Sequence, residues 1–380
     1  MKKILSVLLV LSMLVCIFSS CIKESKQDES TSEIQETSDT DAAVDNSETT
    51  APHDLEYTEY DIVSNKDKIH VQGRSIDTSS GISADWSASG IEFNATYTGI
   101  ISVTGEAASK DVMFRVYVNG KETGSIIFTT TTSTKKLPGT KSDEQTTANI
   151  RLVRVQYVKD GLVTLKTVKL SGNIHTWQEE RKFIEFIGDS ITCGYGSITN
   201  DDQKDGSRTF AYVAACELGI DYSMVAISGI GVNKSTSQHS GGTIGDFYKY
   251  NTWYRSKTKL YEPEKKADLV VVNLNTNDNS KGATKNAYKQ DLKALLTDIR
   301  SIHGENVSIV WIVGQMTDVD TSVNGWLVEV FEELGGESAG LYIMETTKNN
   351  QGGRDHPNYN SHKVTAGHLV TFIEEKNLLG

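Results

Sequence analysis

Residues 182–196 read KFIEFIGDSITCGYG: an apolar run breaks at Gly188-Asp189-Ser190 and passes into small residues that can open a helix. Such a short apolar run predicts a buried strand, which places Ser190 at its carboxyl end. Ligands bind at this edge of open α/β sheets, and a helix that begins there offers N–H groups to an oxyanion. Ser190 is therefore a candidate nucleophile, although Gly-Asp-Ser is also ordinary turn chemistry.

Three other polar segments follow predicted strands or precede the last predicted helix. They are ISGIG at 227–231, ADLVVVNLNTND at 267–278 and GGRDHPNYNSH at 352–362. His356 is a candidate base, which serine needs because its hydroxyl is a weak nucleophile at neutral pH. Asn277 can donate a side-chain N–H at the same edge. Gly229 lets a backbone N–H approach a reacting carbonyl closely, with Gly231 as the alternative donor.

These blocks, in this order, resemble the SGNH (GDSL-type) hydrolases from about Phe183 to the C-terminus. The family carries Ser, Gly, Asn and His in sequence, here Ser190, Gly229, Asn277 and His356. The resemblance implies acyl transfer with Ser190 and His356 as catalytic residues. It also implies an oxyanion hole formed by the Ser190 N–H, the Gly229 N–H and the Asn277 side chain.

Two positions depart from the family pattern. Asn275 stands where the third block usually has glycine, which asparagine can replace because it accepts left-handed backbone conformations. Gly353 stands where an Asp usually precedes the histidine by three residues. Asp355 is adjacent to His356 and poorly placed to accept from its ring. We therefore expect a Ser–His dyad oriented by a backbone carbonyl, since only the tautomer and the imidazolium need support.

The chain is also similar to carbohydrate esterase family 2, the acetyl-xylan-esterase-like enzymes that often work with a dyad. The shared stretches are GDSITCGYG at 188–196, SGIG at 228–231, GQM at 314–316 and the His-Pro box at 356. This resemblance implies removal of O-acetyl groups from plant polysaccharides such as xylan or glucomannan, without a cofactor. Another SGNH acyl esterase or lipase, or a non-catalytic glycan-binding lipoprotein, stays open as an alternative.

The pattern of predicted strands and helices along the sequence predicts two folded domains. Residues 55–175 read as short strands with turn signals, including the hairpin cue Asn119-Gly120, and predict an all-β sandwich, specifically a jelly roll. Residues 178–380 alternate strands with helices and predict a three-layer, flavodoxin-like α/β hydrolase domain with a parallel sheet. Its predicted strands are 183–187, 223–227, 268–274, 307–313 and 341–345, and its predicted helices are 208–218, 281–302, 323–334 and 362–378.

The N-terminus predicts export. Residues 1–21 resemble a bacterial lipoprotein signal peptide, with Cys21 as the lipidation site, although a plain signal peptide or an uncleaved anchor is the alternative. Residues 22–54 are acidic and rich in Ser and Thr, so they predict a disordered tether. We therefore expect a lipid-anchored protein on the outer face of the cell membrane. The net charge of −12 argues against a nucleic-acid partner.

The remaining candidates are cysteines and tryptophans. Cys193 and Cys216 are expected to be small core residues rather than a disulfide. No Cys/His cluster has the spacing of a zinc site, so no metal is expected. Trp253 and Trp326 are possible platforms for a sugar ring, and the expected partner is an acetylated polysaccharide or oligosaccharide.

Overall fold

The structure is a computed structural model that describes residues 55–198, 204–239, 242–253, 259–349 and 351–380. The predicted signal peptide with Cys21 and the predicted tether therefore lie outside the described residues. Within these ranges, no helix combines the length and the apolar character needed to cross a membrane. Residues 54–380 form one compact unit, and the domain boundary predicted near 175–178 stays a prediction.

An antiparallel sheet occupies the N-terminal part of the described chain. Its strands are β1 (Thr58–Asp61), β2 (His70–Gln72), β3 (Ile76–Thr78), β4 (Gly81–Ala84), β5 (Gly90–Ala107), β6 (Val112–Val118), β7 (Lys121–Phe128), β8 (Ser133–Lys136), β9 (Ser142–Arg154) and β10 (Val163–Ile174). The order is β3-β4-β10-β5-β9-β6-β7, with β1 on β10 and both β2 and β8 on β5. An antiparallel sheet is thus present, and the separate β-sandwich domain and its jelly-roll topology stay predictions.

Two local predictions in this sheet can be checked directly. Asn119 and Gly120 have φ of 50° and 76°, as a type I′ turn requires, and they join β6 to β7 as predicted. The strands of this region are expected to be short, but β5 runs for 18 residues from Gly90 to Ala107. The register against β9 shifts between Tyr97 and Gly99, and Gly99 has φ of 80°. A bulge therefore absorbs the turn signal without ending the strand.

The C-terminal part is an α/β layer structure. A five-stranded parallel sheet consists of β11 (Phe183–Gly188), β12 (Asp221–Ala226), β13 (Leu269–Asn273), β14 (Ser308–Val313) and β15 (Leu341–Glu345), in the order β12-β11-β13-β14-β15. The helices are α1 (Phe210–Leu218), α2 (Ile244–Tyr248), α3 (Thr276–Ser280), α4 (Lys285–His303), α5 (Ser322–Glu333) and α6 (Tyr359–Glu375). Apolar residues of α4 and α5 cover one face of the sheet, and those of α1 and α6 cover the other. The predicted parallel sheet, its flavodoxin-like order and its three layers are confirmed.

The prediction that a helix begins directly after Ser190 is wrong. The chain there forms turns, and the next α-helix, α1, begins at Phe210. Gly194 and Gly196 have φ of 82° and 70°, outside the helical region. A Cβ on Gly194 would lie 2.2 Å from the Asp205 carbonyl oxygen. This close approach makes glycine necessary there and prevents a regular helix.

A buried ionic network joins the antiparallel sheet region to the parallel sheet. Glu185, inside β11 and fully buried, accepts hydrogen bonds from Arg74 Nε at 2.9 Å, Arg74 Nη2 at 2.8 Å, Tyr248 Oη at 2.8 Å and His303 Nε2 at 2.8 Å. His303 Nδ1 accepts from the Ala267 N–H at 3.1 Å, so Nε2 carries the proton. Burial alone would raise the pKa of Glu185, but the Arg74 charge and these hydrogen bonds hold it well below its usual range.

Candidate active site

The predicted site residues lie where three central strands end. Ser190 follows β11, Gly229 follows β12, and Asn277 is in α3 directly after β13. In the sheet β11 lies between β12 and β13, which is where the strand order reverses and a crevice opens. His356 reaches the same edge from the loop before α6.

Ser190 and His356 form a hydrogen-bonded pair. His356 Nε2 lies 2.8 Å from Ser190 Oγ, and His356 Nδ1 lies 2.8 Å from the Arg354 carbonyl oxygen. A carbonyl can only accept a hydrogen bond, so Nδ1 carries the proton and Nε2 accepts from the Ser190 hydroxyl. This is the tautomer that a general base needs. A backbone carbonyl therefore accepts the Nδ1–H hydrogen bond, as expected for a chain that has no acid at position 353.

The loop that carries His356 has unusual backbone geometry. Arg354 and Asp355 both adopt left-handed φ values, 52° and 58°, which are uncommon outside glycine, asparagine and aspartate and therefore unusual for Arg354. The Gly353 N–H donates to the Gly196 carbonyl at 3.3 Å, so this loop rests on the turn after Ser190. Two consecutive left-handed residues turn the Arg354 carbonyl back toward the imidazole two residues later. The conformation thus supplies the contact that the missing acid would make.

The surroundings of His356 favour the neutral imidazole. Burial is the largest influence and lowers the pKa of His356, and the Lys204 charge lowers it further. Hydrogen bonds to the Arg354 and Gly353 backbones, and the Asp355 charge, act in the opposite direction but are outweighed. The ring is therefore ready to accept a proton even in mildly acidic solution.

The loop after β12 provides the expected backbone donor. Gly229 has φ of 86°, which glycine adopts without strain. The Gly231 N–H donates to Ser235 Oγ at 3.1 Å, so this alternative donor is already used within the loop. Among the described residues the Gly229 N–H has no hydrogen-bond acceptor. Of the two candidates, Gly229 is thus the one whose N–H can serve an oxyanion.

Asn277 makes contacts that its sequence position did not predict. Its Nδ2 donates to the Ile230 carbonyl at 2.7 Å and faces Asp189 Oδ2 at 3.3 Å. The amide therefore fixes the Gly229 loop against the turn that carries Ser190. Its own contribution to an oxyanion hole stays a prediction.

Two buried carboxylates support the loops around the nucleophile. Asp278 accepts from the backbone N–H groups of Val232, Asn233 and Lys234 at 2.9, 2.7 and 2.7 Å. It therefore holds the loop after β12 rather than capping only its own turn. Asp189 accepts from the Ile191 N–H at 3.0 Å. Burial, with a smaller effect of the Asp278 charge, raises the pKa of Asp189 to about 7.

Asn275 shows how the chain compensates for the missing glycine. It has φ of 85°, so the predicted left-handed conformation is confirmed. Its side chain accepts from Tyr288 Oη at 2.6 Å and donates to Asn324 Oδ1 at 2.9 Å. Asparagine thus replaces glycine at a strained position and also connects the site loop to helices α4 and α5.

The other predicted residues have less direct connections to the dyad. Trp253 and Trp326 are half-buried. The Trp253 ring centroid lies 4.0 Å from that of Phe247, and the Trp326 ring centroid lies 6.0 Å from that of Tyr288. Contact of either ring with substrate stays a prediction. Cys193 and Cys216 are both free thiols. Cys193 is buried as expected, but the core assignment of Cys216 is wrong, because it lies on an exposed face of α1.

Sequence reasoning missed one aromatic neighbour of the base. The Tyr195 ring packs edge-on against His356, with ring centroids 4.6 Å apart and planes inclined by 67°. Tyr195 belongs to the GDSITCGYG stretch, so the signal was present, but a lone tyrosine in a turn has no chemistry that singles it out.

Comparisons with known proteins bear on this geometry. The GDSL-like Lipase/Acylhydrolase family matches residues 186–363. This span contains Ser190, Gly229, Asn277 and His356, in the arrangement just described. Residues 186–363 of the chain are therefore similar to this family. The resemblance to SGNH (GDSL-type) hydrolases is thereby confirmed.

The relatives and solved structures to which the chain is similar include family 2 carbohydrate esterases. The chain is 29% identical over 318 residues to the cellulase/esterase CelE of Acetivibrio thermocellus, covering 77% of this chain and 37% of that protein. It is 24% identical over 221 residues to an acetylxylan esterase / glucomannan deacetylase of Cellvibrio japonicus, covering 52% of this chain and 60% of that protein. A family two carbohydrate esterase from Clostridium thermocellum, solved in complex with cellohexaose, has a TM-score of 0.73 and 26% identity over 81% of this chain and 99% of that one. The chain thus spans less than two thirds of both relatives, and the likeness to carbohydrate esterase family 2 is confirmed.

Proposed function

We propose that this protein is a GDSL-type serine carbohydrate esterase that removes O-acetyl groups from plant cell-wall polysaccharides such as xylan or glucomannan. The observation that carries the proposal is the Ser190–His356 pair at 2.8 Å, with Nδ1 held by a carbonyl. Support for the substrate class comes from the relatives, which are named as esterases, one of them as an acetylxylan esterase / glucomannan deacetylase.

The proposed reaction is a two-step acyl transfer. His356 Nε2 takes the Ser190 proton as Oγ attacks the acetyl carbonyl carbon. The tetrahedral oxyanion accepts hydrogen bonds from the Ser190 N–H, the Gly229 N–H and the Asn277 side chain, which would exchange its longer contact, 3.3 Å to Asp189, for the oxyanion. The C–O bond to the sugar then breaks, and His356 gives its proton to the departing sugar oxygen.

The second step releases acetate. A water molecule gives a proton to His356 as its oxygen attacks the acetyl-enzyme carbonyl. The same oxyanion donors hold the second tetrahedral intermediate, and its collapse returns the proton to Ser190 Oγ. Throughout, the Arg354 carbonyl fixes the orientation of the His356 ring and accepts the hydrogen bond from the Nδ1–H of the imidazolium.

The cellular setting is part of the proposal. We propose that lipidation at Cys21 anchors the protein to the outer face of the membrane and that residues 22–54 act as a tether. Trp253 and Trp326 would provide sugar platforms, and the N-terminal β domain would have a jelly-roll fold. The support is the apolar, cysteine-ended segment at 1–21 and the acidic composition that follows.

The test compares Ser190→Ala with wild type on p-nitrophenyl acetate, a longer-chain p-nitrophenyl ester and acetylated xylan. Ser301→Ala is a matched control, because Ser301 is an exposed serine of α4 whose hydroxyl, within the part of the chain that the structure describes, bonds only to the Asp298 carbonyl. We expect Ser190→Ala to lose activity on all three substrates while thermal unfolding is unchanged, and Ser301→Ala to behave as wild type.

Three outcomes would contradict the proposal, each at a different level. Wild-type turnover by Ser190→Ala would refute the catalytic serine. A preference of the wild type for the longer ester over acetate would indicate an acyl esterase or lipase. Absence of covalent labelling of Ser190 by a fluorophosphonate, with glycan binding retained, would indicate a non-catalytic binding protein.

A further inference from the structure

A loop of the N-terminal β domain reaches the catalytic edge of the parallel sheet. This loop follows β9 and carries Tyr157 and Lys159. Tyr157 is buried in the same apolar cluster as Cys193 and Ile230, which follow Ser190 and Gly229 in the chain. The Gly206 N–H donates to the Val155 carbonyl at 2.9 Å and fixes the loop from the other side. The β domain therefore forms part of the wall of the site.

Lys204 lies inside this wall. It pairs with Tyr195 in an antiparallel bridge, so both side chains project from the same face of the bridge. Lys204 Nζ lies 4.5 Å from the ring centroid of Tyr157 and 4.5 Å from that of Tyr195. Tyr195 is the ring that packs against His356 at 4.6 Å. A single aromatic ring thus separates a lysine ammonium from the imidazole.

A second lysine lies close to the first. Lys159 is two residues from Tyr157, whose ring centroid lies 4.5 Å from Lys204 Nζ; burial, and less strongly the Lys204 charge, lowers the pKa of Lys159. Lys159 Nζ lies 3.5 Å from Gln238 Oε1. The carboxylate next along the chain, Asp205, accepts from Arg115 and from the Ser207 hydroxyl at 2.5 Å. One lysine ammonium therefore lies an aromatic ring away from His356, and a second lysine lies on the neighbouring loop, in a chain whose net charge is −12.

We propose that Tyr157, Lys159, Tyr195 and Lys204 form a cationic, aromatic subsite that binds a uronic acid residue of the substrate next to the acetylated sugar. The inference rests on the proposed function and specifies its substrate class. The ammonium groups attract a sugar carboxylate, and the half-buried Tyr195 ring offers an apolar face to a pyranose ring.

The test uses one acetylated xylan in two forms. The first carries its uronic acid groups, and the second has had them removed with an α-glucuronidase, so that acetylation is unchanged. The variants are Lys204→Gln, the double variant Lys159→Gln with Lys204→Gln, and the control Lys121→Gln, an exposed lysine of the β6–β7 hairpin. Turnover of p-nitrophenyl acetate measures the chemistry without the glycan.

For a partly screened charge pair we expect Lys204→Gln to lower kcat/KM on the uronic acid polymer by about threefold to tenfold. The double variant should lose more, and Lys121→Gln should lose nothing. Rates on the neutral polymer and on p-nitrophenyl acetate should change much less, because Lys204 acts on them only through the pKa of His356. The wild-type preference for the charged polymer should also shrink between about 0.01 M and 0.1 M salt, where the Debye length falls from ~30 Å to ~10 Å.

Equal losses on the charged and the neutral polymer would overturn the inference, because they would show that Lys204 only braces the wall between Tyr157 and Tyr195. No loss on either polymer would overturn it as well. Both results would leave the esterase assignment intact if the wild type still deacetylates the neutral polymer. A wild type that cleaves p-nitrophenyl acetate but neither polymer would refute the proposed function, and the subsite with it.

Discussion

Replacing Asp278 by alanine should damage catalysis although this side chain never touches the substrate. Its carboxylate is the common acceptor for three successive backbone N–H groups, from Val232 to Lys234, at 2.7 to 2.9 Å. These residues follow Gly229, the proposed oxyanion donor, by three to five positions. In the alanine variant the three donors lose their acceptor, and the loop loses the constraint that fixes the direction of the Gly229 N–H.

The size of the effect follows from these contacts. Hydrogen bonds to a charged group contribute about 1.5–3 kcal/mol each, but the same carboxylate has to be stripped of water. Burial raises the pKa of Asp278 although the three N–H groups act to lower it. We therefore expect a net loss of about 2–4 kcal/mol in the free energy of unfolding. Misplacing one oxyanion donor should lower kcat by about 10²–10³-fold with little change in KM.

The assay is steady-state hydrolysis of p-nitrophenyl acetate together with thermal unfolding. Asp291→Asn is the matched control, because Asp291 of α4 bonds to the same loop only through the Asn233 side chain, at 2.7 Å. We expect the control to lose less than about threefold in kcat. If Asp278→Ala does not fold, Asp278→Asn tests the same point, since its amide oxygen can still accept but its NH₂ group faces an N–H. Turnover within about threefold of wild type in a folded Asp278 variant would refute the reasoning.

Three further predictions follow from the buried titratable groups. Because the pKa of His356 is lowered, chiefly by burial, the acidic limb of kcat/KM against pH should have its midpoint below the ordinary histidine value of about 6.5; a midpoint above that value would contradict the assigned environment. His362 is buried, its Nδ1 accepts from the Phe210 N–H at 3.1 Å, and burial with the His356 charge lowers its pKa to about 3. Its contribution to stability is therefore complete above about pH 6.5 and is lost as the pH falls toward 3, by up to about 1.4 kcal/mol per pH unit, so His362→Gln should flatten this part of the stability profile measured by urea unfolding. Glu185→Gln leaves the buried Arg74 charge without its counter-ion and should cost about 3–5 kcal/mol in urea unfolding, whereas Glu329→Gln, an exposed partner of Lys285 and Lys289, should change little.

The parallel sheet could be predicted from the sequence because each of its strands is a short apolar run that ends in turn residues. The segment ADLVVVNLNTND shows this directly: the predicted strand 268–274 differs by one residue at each end from β13. Once the strand ends are known, the sheet rule brings Ser190, Gly229 and Asn277 to one edge without further information. Local pattern therefore sufficed for the positions of the candidate site residues.

Other features depend on backbone geometry or on distant parts of the chain. The turn after Ser190 is imposed by the approach of Gly194 to the Asp205 carbonyl, a contact with no periodic signal. The left-handed conformation of Arg354 runs against the preference of its residue type, so no propensity argument could identify which carbonyl orients the histidine. The Arg74–Glu185 network connects residues 111 positions apart, and pairing over that distance leaves no trace in local hydrophobicity.

Because a carbonyl rather than a carboxylate contacts His356 Nδ1, other groups of the site have to contribute more to the stabilisation of the transition state. A carbonyl carries only a partial charge, so it fixes the tautomer of His356 but stabilises the imidazolium less than an acid would. Burial adds to this effect by lowering the pKa of the ring, which gives a weaker base that remains neutral at lower pH. A weaker base contributes less to the transition state, and the remaining stabilisation has to come from the oxyanion side. The loop after β12 can provide this oxyanion stabilisation because side chains hold it in place. Asp278 accepts hydrogen bonds from its backbone, and Asn277 donates to its Ile230 carbonyl.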